Sequence, residues 1–521
     1  MDGDGQEARG RARRGGGRSG NARRRGASIA QAPWTLPVNP DRPTEPVGPE
    51  GVAAMHDAAM RVLEEIGVDF LNPEAKAILK AAGCAVDPDS DRVRMDRAWV
   101  LEKVALAPKS FTVTPRNPDR AIEIGGDRVV FGAVASPPNC ADIERGRRAG
   151  DRESFRDLTK LTQYFNCIHL NGGYPVEPVD IHAGVRHLDC LHDQLTLTDK
   201  VVHAYCLGPE RVEDVMEMVR IAAGLSHADF EAAPRLFTNI NSSSPLKHDW
   251  PMLDGAMRFA RRGQPVIVTP FTLAGAMAPV TLAGAVVQSV AEALACIALL
   301  QEIRPGLGVA IGAFTSNVDM KSGAPAFGTP EYMRATQLSG QMARFYGLPL
   351  RASNACAANA PDSQSAWESA FSLWACLSSG TNLVYHAAGW LEGGLCASYE
   401  KFVLDCETLQ QMIHYMGGVT ATDADIAFDA IAEVGPHGHF FGCAHTQARY
   451  ETAFYSPFAS DWRNYESWAE GGAVQAADRA TGLWRQALAD YEPPALDVAV
   501  AEELAAFVER RKREGGAPTD F

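Results

Sequence analysis

The sequence lacks CxxC pairs, GxGxxG turns after an apolar run, and a phosphate-gripping glycine loop ahead of a helix. Each absence removes a class of function. Eleven cysteines, at 84, 140, 167, 190, 206, 296, 356, 376, 396, 406 and 443, are odd in number and scattered. That pattern reads as reduced thiols of a cytoplasmic protein, most of them small core residues. Without GxGxxG, a doubly wound nucleotide-binding sheet loses its main support. Without a glycine-rich phosphate cradle, phosphorylated sugars are poor substrate candidates. The longest apolar stretch, 283–300, is interrupted by Gln288, Ser289 and Glu292, so no span crosses a membrane, and no apolar core of a secretory signal stands at the start.

Positive charge is scarce except in one place. The first 25 residues hold eight arginines against three acids, a local +5, so the remainder carries −20 to give the overall −15. The start reads as a basic solubilising tail, 1–32, and the acidic body argues against a nucleic-acid partner while favouring neutral or cationic ligands. What is abundant is apolar residue, 46% of 521, enough for a large core.

The spacing predicts helices over 51–67, 72–82 and 96–105, then hairpin-like strands over 111–116 and 121–134, giving an N-terminal lobe of helices and hairpins over 33–125. One rhythm then fills 126–420. Apolar strand-like runs at 128–134, 166–171, 200–206, 235–241, 265–270, 308–314, 349–353 and 382–386 alternate with helical patterns at 152–165, 183–197, 209–224, 251–262, 280–303, 330–346, 364–379 and 397–416. Apolar strands separated by amphipathic helices imply a parallel sheet covered on both faces, and eight such units match an α/β (β/α)8 TIM barrel. The rest, 421–521, begins with an acidic helix (DADIAFDAIAEVG) and ends in helices at 473–490 and 497–512. It is expected to pack on the barrel, and a homo-oligomer is possible.

Chemistry in such a barrel sits at the C-terminal strand ends. Those segments, among them NINSSSPL (239–246), FTSNVDMKSGAP (314–325), ASNACAANAPD (352–362) and HAAGWLEGG (386–394), are rich in Gly, Ala, Ser and Asn. Lysine occurs there only as Lys247 and Lys321, which gives little for Schiff-base chemistry. His386 is the best site histidine. The acids Asp319, Glu331, Glu392, Glu400 and Asp405 and the aromatics Tyr174, Tyr205, Phe271, Phe314, Tyr385, Trp390 and Tyr399 fall on or near the mouth. Rings attract a quaternary ammonium and a carboxylate offsets its charge. Equally, each ring could be core packing, and Glu331 could serve the dipole of its own helix after Thr329 and Pro330. His437, His439, Cys443 and His445 lie close in sequence but lack a second ligand pair at finger spacing, so no metal site is expected.

NSSSPL (241–246), SGAPAFGTPE (322–331), PDSQSAWE (361–368), NLVYHAAGWLEGGLCASYEKFVLD (382–405) and GHFFGCAHT (438–446), in this order and spacing, resemble the trimethylamine methyltransferase family of corrinoid-dependent methyltransferases. The resemblance runs from about Val52 to Arg511. It implies a TIM barrel that passes a methyl group from a methylamine to the Co(I) corrinoid (cobalamin) of a separate small protein. Family members acting on trimethylamine carry pyrrolysine at the mouth, near the position of 352–362 here, whereas this sequence has only standard residues. A quaternary amine such as glycine betaine is therefore the expected substrate, because it departs as a neutral amine and needs positioning more than acid catalysis. On this reading His386, Asp319 and Glu331 are the candidate catalytic residues. Asn241, Phe314, Asn354, Gln364, Tyr174, Tyr205, Trp390, Glu392 and Tyr399 are the candidate substrate contacts. No corrinoid is expected to bind this chain tightly, since a DxHxxG motif is missing and Asp180-Ile-His182-Ala-Gly184 is one residue short. Two alternatives remain at this point: a zinc-dependent barrel methyltransferase, and a non-catalytic quaternary-amine-binding protein.

Overall fold

The computed structural model describes residues 29–205 and 207–519. The expectation of a basic tail falls largely outside them, as does Cys206. Eight short parallel strands occupy the eight apolar runs: β1 Val130–Phe131, β2 Leu170–Asn171, β3 Val201–Val202, β4 Thr238–Ile240, β5 Val266–Val268, β6 Val309–Gly312, β7 Leu350–Ser353 and β8 Leu383–Tyr385. Six are hydrogen-bonded in the order β4-β5-β6-β7-β8-β1. The ring closes through Gly132 beside Leu170, Val201 beside Leu170, and His203 beside Phe237. All eight strands thus share one closed parallel barrel, and no strand edge is left unpaired.

The outer ring comprises α1 Arg152–Tyr164, α2 Ala183–Leu197, α3 Pro209–Ala222, α4 Trp250–Arg261, α5 Leu282–Ile303, α6 Pro330–Phe345, α7 Ser363–Ser379 and α8 Tyr399–Tyr415. Local chemistry sets several starts. Asp151 and Ser154 form a capping box at α1, Asp362 accepts from Gln364 and Ser365 N–H at α7, and Thr329 Oγ1 accepts from Tyr332 N–H ahead of α6. Left-handed Gly380 ends α7. α5 is long and apolar enough to cross a membrane, with mean hydropathy 1.9, but 72% of that window is buried. The N-terminal helices Pro49–Arg61, Pro73–Ala81 and Arg97–Val104 pack on it, which explains why it is apolar all round.

The lower end of the barrel is plugged. Strands Ser110–Val113 and Ile122–Gly125 form an antiparallel hairpin, and Val113, Ile122 and Ile124 join Val130, Leu170, Val201, Phe237, Ile267, Ala310 and Leu383 in one core cluster. Each fully buried aliphatic or Phe side chain contributes about 1.5–3 kcal/mol. Phe111 fits beside Gly308, where a Cβ would stand 2.8 Å from its ring.

Three expectations are revised. The N-terminal lobe is not only helices and hairpins: Val68–Phe70 and Arg92–Arg94 form a small sheet with Ala85–Val86, and Lys247–His248 from the barrel joins Val68–Phe70 in parallel. The acidic C-terminal helix is two short helices, Asp423–Ile426 and Phe428–Val434, broken at Ala427 (φ 50°). The stretch after β6 is not an open loop but a hairpin, Phe314–Val318 doubling back on Pro325–Ala326.

The C-terminal segments dock where polar side chains hold them. Glu407 of α8 accepts from Tyr455 Oη (2.9 Å), Phe458 N–H (3.0 Å) and Ala459 N–H (2.9 Å). Thr481 Oγ1 and Trp484 Nε1 of helix Ala476–Asp490 both donate to Glu400 at 2.9 Å. Arg511 and Lys512 of helix Val498–Arg513 pair with Asp214 of α3 (2.5 Å) and Asp189 of α2 (2.6 Å).

Candidate active site

At the C-terminal end of the strands lies a cavity of about 400 Å³. Every strand or the loop after it contributes: Ser136 after β1, Gly172 after β2, His203 and Tyr205 after β3, Asn239 and Asn241 from β4, Phe271 after β5, Phe314 after β6, Arg351 on β7, and Tyr385, His386 and Trp390 on and after β8. The small and polar strand ends read in the sequence are the rim of this one cavity, as expected for the fold. Among the described residues, no Asp or Glu lines it.

One wall is aromatic. Phe314 lies 5.0 Å from Phe271, 6.3 Å from Trp390 and 5.7 Å from Phe327, centroid to centroid. His386 packs against Trp390, ring centroids 3.8 Å apart and planes tilted by 46°. His386 has a left-handed backbone, φ 53°, which costs a β-carbon residue about 1–2 kcal/mol. Its neighbours hold it there: Asn354 N–H donates to Tyr385 O (2.9 Å), and Ala387 N–H donates to Gly132 O (2.8 Å). Strain fixed in this way is typical of a working position.

The polar wall is ordered by a short network. Asn241 Nδ2 donates to Thr269 O (2.9 Å), and Thr269 Oγ1 donates to Asn239 Oδ1 (2.7 Å). His203 Nε2 accepts from Asn239 N–H (3.1 Å), so Nδ1 carries the proton donated to Gly172 O (2.7 Å). Burial pushes the His203 pKa down to about 4. Burial, then the Arg351 charge, holds His386 well below the ordinary imidazole range. Both rings are neutral at pH 7.

Among the described residues, Arg351 is the one charged side chain in the cavity. It is 3% exposed, and its Nε and Nη1 have no hydrogen-bond partner. Its guanidinium lies 4.6 Å from the Tyr385 ring and 5.2 Å from the Phe314 ring. Burial lowers its pKa, yet a guanidinium does not lose its proton in a protein. Gly312, its register partner on β6, makes room for Thr269, whose Oγ1 a Cβ there would meet at 2.1 Å.

Of the residues singled out in the sequence, Asn241, Phe314, Tyr205, Trp390 and His386 meet in the cavity. Tyr174 stands behind Tyr205, rings T-shaped at 4.8 Å, in an adjoining chamber of about 360 Å³. Tyr205 Oη bonds Ser136 Oγ at 2.5 Å and separates the two spaces. The others are placed elsewhere. Asp319 is exposed at the hairpin tip, where Ser322 Oγ (2.6 Å) and the N–H groups of Lys321 and Ser322 bond its carboxylate and hold it below the usual range. Glu331 is exposed in the first turn of α6, where the dipole favours it. Glu392 pairs with Arg147 at 2.9 Å. Gln364 donates to Glu368 Oε1 (2.8 Å), while the other oxygen of Glu368 accepts from Ala357 and Ala358 N–H and so pins the loop after β7. Asn354 is buried and donates to Ala387 O (3.0 Å) behind His386. Tyr399 is buried against Trp484. Glu400 serves Trp484, and Asp405 pairs with Lys401. An acidic cage around a cation is therefore not what this mouth presents.

The reading missed Arg351, His203 and Asn239. The available signal was a lone arginine inside the otherwise strand-like run Leu348–Ser353, because a charge on a fully buried strand needs a reason. Among the described residues, no group of three His, Cys, Asp or Glu is placed to hold a metal ion. His437 and His439 are exposed, and Cys443 Sγ contacts Thr446 Oγ1 at 3.3 Å.

A closed parallel barrel whose strand ends converge on an aromatic, carboxylate-free cavity places the chain among the barrel enzymes. The family described as trimethylamine methyltransferase (MTTB) matches residues 13–516, and the chain belongs to it. It is 37% identical to a glycine betaine methyltransferase of Desulfitobacterium hafniense over 466 residues, 89% of this chain and 96% of that protein. It is 28% identical to a trimethylamine methyltransferase of the same species (90% and 94% covered) and 27% identical to one from Methanosarcina mazei (88% and 94%).

Proposed function

We propose that the protein moves a methyl group from a quaternary amine of the glycine betaine type to the Co(I) corrinoid of a partner protein. The observation that carries this is that no described residue lining the cavity is acidic enough to protonate a departing amide at neutral pH. His203 and His386 are neutral with depressed pKa values, no carboxyl group of the described residues lines the space, and burial raises the pKa of Tyr205 and Tyr385, which makes their hydroxyls weaker acids. A tertiary amine losing a methyl group there would leave as a strongly basic anion, whereas a quaternary ammonium keeps the C–N electron pair and leaves as a neutral tertiary amine. The rings of Phe271, Phe314, Tyr205, Tyr385 and Trp390 suit such a cation at about 0.5–2 kcal/mol for each well-placed face. The name of the 37% identical relative agrees with this reading.

When the partner is docked, its reduced corrinoid supplies the cobalt nucleophile that takes the methyl group. This chain contributes position and dryness. The rim residues Ala135, Ser136, Gly393 and Gly394 are small and leave the cavity open from above. Asp180 and His182 are spent on structure: Asp180 accepts from Arg152 N–H (3.0 Å), and His182 Nδ1 accepts from Gly184 N–H (3.2 Å) at the start of α2. These bonds agree with a corrinoid carried by the partner. A reduced cobalt centre and the ten described cysteines, all buried, suit the reducing cytoplasm.

The test combines the purified protein, glycine betaine and either a reduced corrinoid protein or free cob(I)alamin. The Co(I) absorbance should fall as dimethylglycine appears in equal amount. Binding of glycine betaine without any dimethylglycine, across both acceptors, would leave a binding protein in place of an enzyme.

A further inference from the structure

A cationic substrate and a buried cation in one small cavity are in conflict, and the conflict points to the rest of the substrate. Arg351 sits at the bottom of the space, flanked by Tyr385 and Phe314. Among the described residues it forms no ion pair, and two of its N–H-bearing nitrogens are without a partner. An uncompensated buried guanidinium is strongly unfavourable, and proteins keep one where a ligand completes it. The planar fork matches a carboxylate in two parallel hydrogen bonds.

We propose that Arg351 is a carboxylate-binding subsite, and that the cavity takes quaternary amines bearing a carboxylate close to the nitrogen while rejecting quaternary cations without one. The sign of the electrostatics supports both halves. A zwitterion brings its anion to Arg351 and leaves the pair of sites close to neutral. A bare quaternary ammonium adds a second positive charge to a space with no acid in its lining, and in a low-dielectric site like charges repel strongly. The neutral state of His386 and His203 adds no further charge. Orientation follows as well: a carboxylate drawn down to Arg351 turns the ammonium toward Phe314 and Trp390, on the side open to the rim.

The inference rests on the quaternary-amine reading above, and one binding experiment separates the two. Glycine betaine, choline and tetramethylammonium are titrated calorimetrically into the wild-type protein, without corrinoid, and into Arg351→Met, Arg351→Gln and Arg351→Lys. Wild type should bind glycine betaine and bind the other two at least about tenfold more weakly. Loss of a charged hydrogen-bond pair should weaken glycine betaine by roughly 10- to 150-fold in Arg351→Met. Arg351→Lys, which keeps the charge without the fork, should fall between. Choline and tetramethylammonium should bind Arg351→Met more tightly than wild type, because the repulsion is gone, and a purely structural role for Arg351 would not produce that gain. If wild type binds all three ligands equally, or if Arg351→Met leaves glycine betaine unchanged, the subsite is refuted while the quaternary-amine reading stands. If wild type binds none of them, that reading itself fails. Should Arg351→Met not fold, the wild-type ligand series and the Lys and Gln variants still decide.

Discussion

The two ends of the barrel are built from the same eight strands and have opposite chemistry. At the lower end Val113, Ile122, Ile124, Phe237, Ile267 and Leu383 fill the interior under a hairpin. At the upper end the interior holds an unpaired guanidinium, a histidine in a left-handed conformation, and buried polar atoms of Tyr385, Trp390 and His386 without partners. The lower end is where stability is made, and the upper end is where some of it is given up for a ligand.

That contrast can be tested from its strongest consequence down. Phe237→Ala, at a fully buried ring just below β4, should lower unfolding free energy by about 3–5 kcal/mol. Urea denaturation measures it, and a loss below about 1 kcal/mol would show that the lower plug is not the stabilising end. At the upper end, Phe314→Leu should weaken glycine betaine about 5- to 30-fold through the lost ring face, with a much smaller effect on stability. Equal damage to both properties would blur the distinction between the ends.

Histidines sharpen it further. His169, at the foot of β2, has Nδ1 accepting from Phe131 N–H (2.9 Å) and Nε2 facing Thr35 O (3.0 Å), and burial lowers its pKa to about 3. Its unfolded value is about 6.5, so between pH 6.5 and about 3 the unfolded chain binds a proton that the native ring does not. The stability tied to its neutral form is full above pH 6.5 and is lost as pH falls. His169→Gln should reduce the slope of stability against pH in that window by about 1.4 kcal/mol per unit. An unchanged slope would mean that the ring is charged or exposed in the native state. The smallest effects belong to the rim acids: Asp319→Asn and Glu331→Gln should change kcat/KM by less than about twofold, given that both are solvent-facing surface groups. A loss of tenfold or more in either would return that acid to the reaction and require the hairpin after β6 to close over the mouth.

The sequence was most legible where burial is uniform. Runs such as Val309–Ala313 and Val266–Val268 are apolar because both faces of the strand are covered, so their positions could be read directly. The helix start marked by Thr329 and Pro330 was equally readable from cap chemistry. Direction was not legible. Asp319 follows a strand end, as site residues do, but the turn back to Pro325–Ala326 carries it into solvent. Glu392 follows β8 closely, yet it faces Arg147 across a neighbouring hairpin.

What the chain determined by itself is the alternation of eight buried strands with eight amphipathic helices, since hydrophobic periodicity and capping act over a few residues. It also determined the small, lysine-poor make-up of the strand ends, which follows from residue type alone. Only the closed barrel decided which side chains face one another. Strand pairing turns Arg351, Tyr385 and His203 inward onto one small volume, and the folding of loops leaves every candidate acid outside it. Charge in a cavity is a property of three-dimensional neighbours, and no one-dimensional pattern contains it.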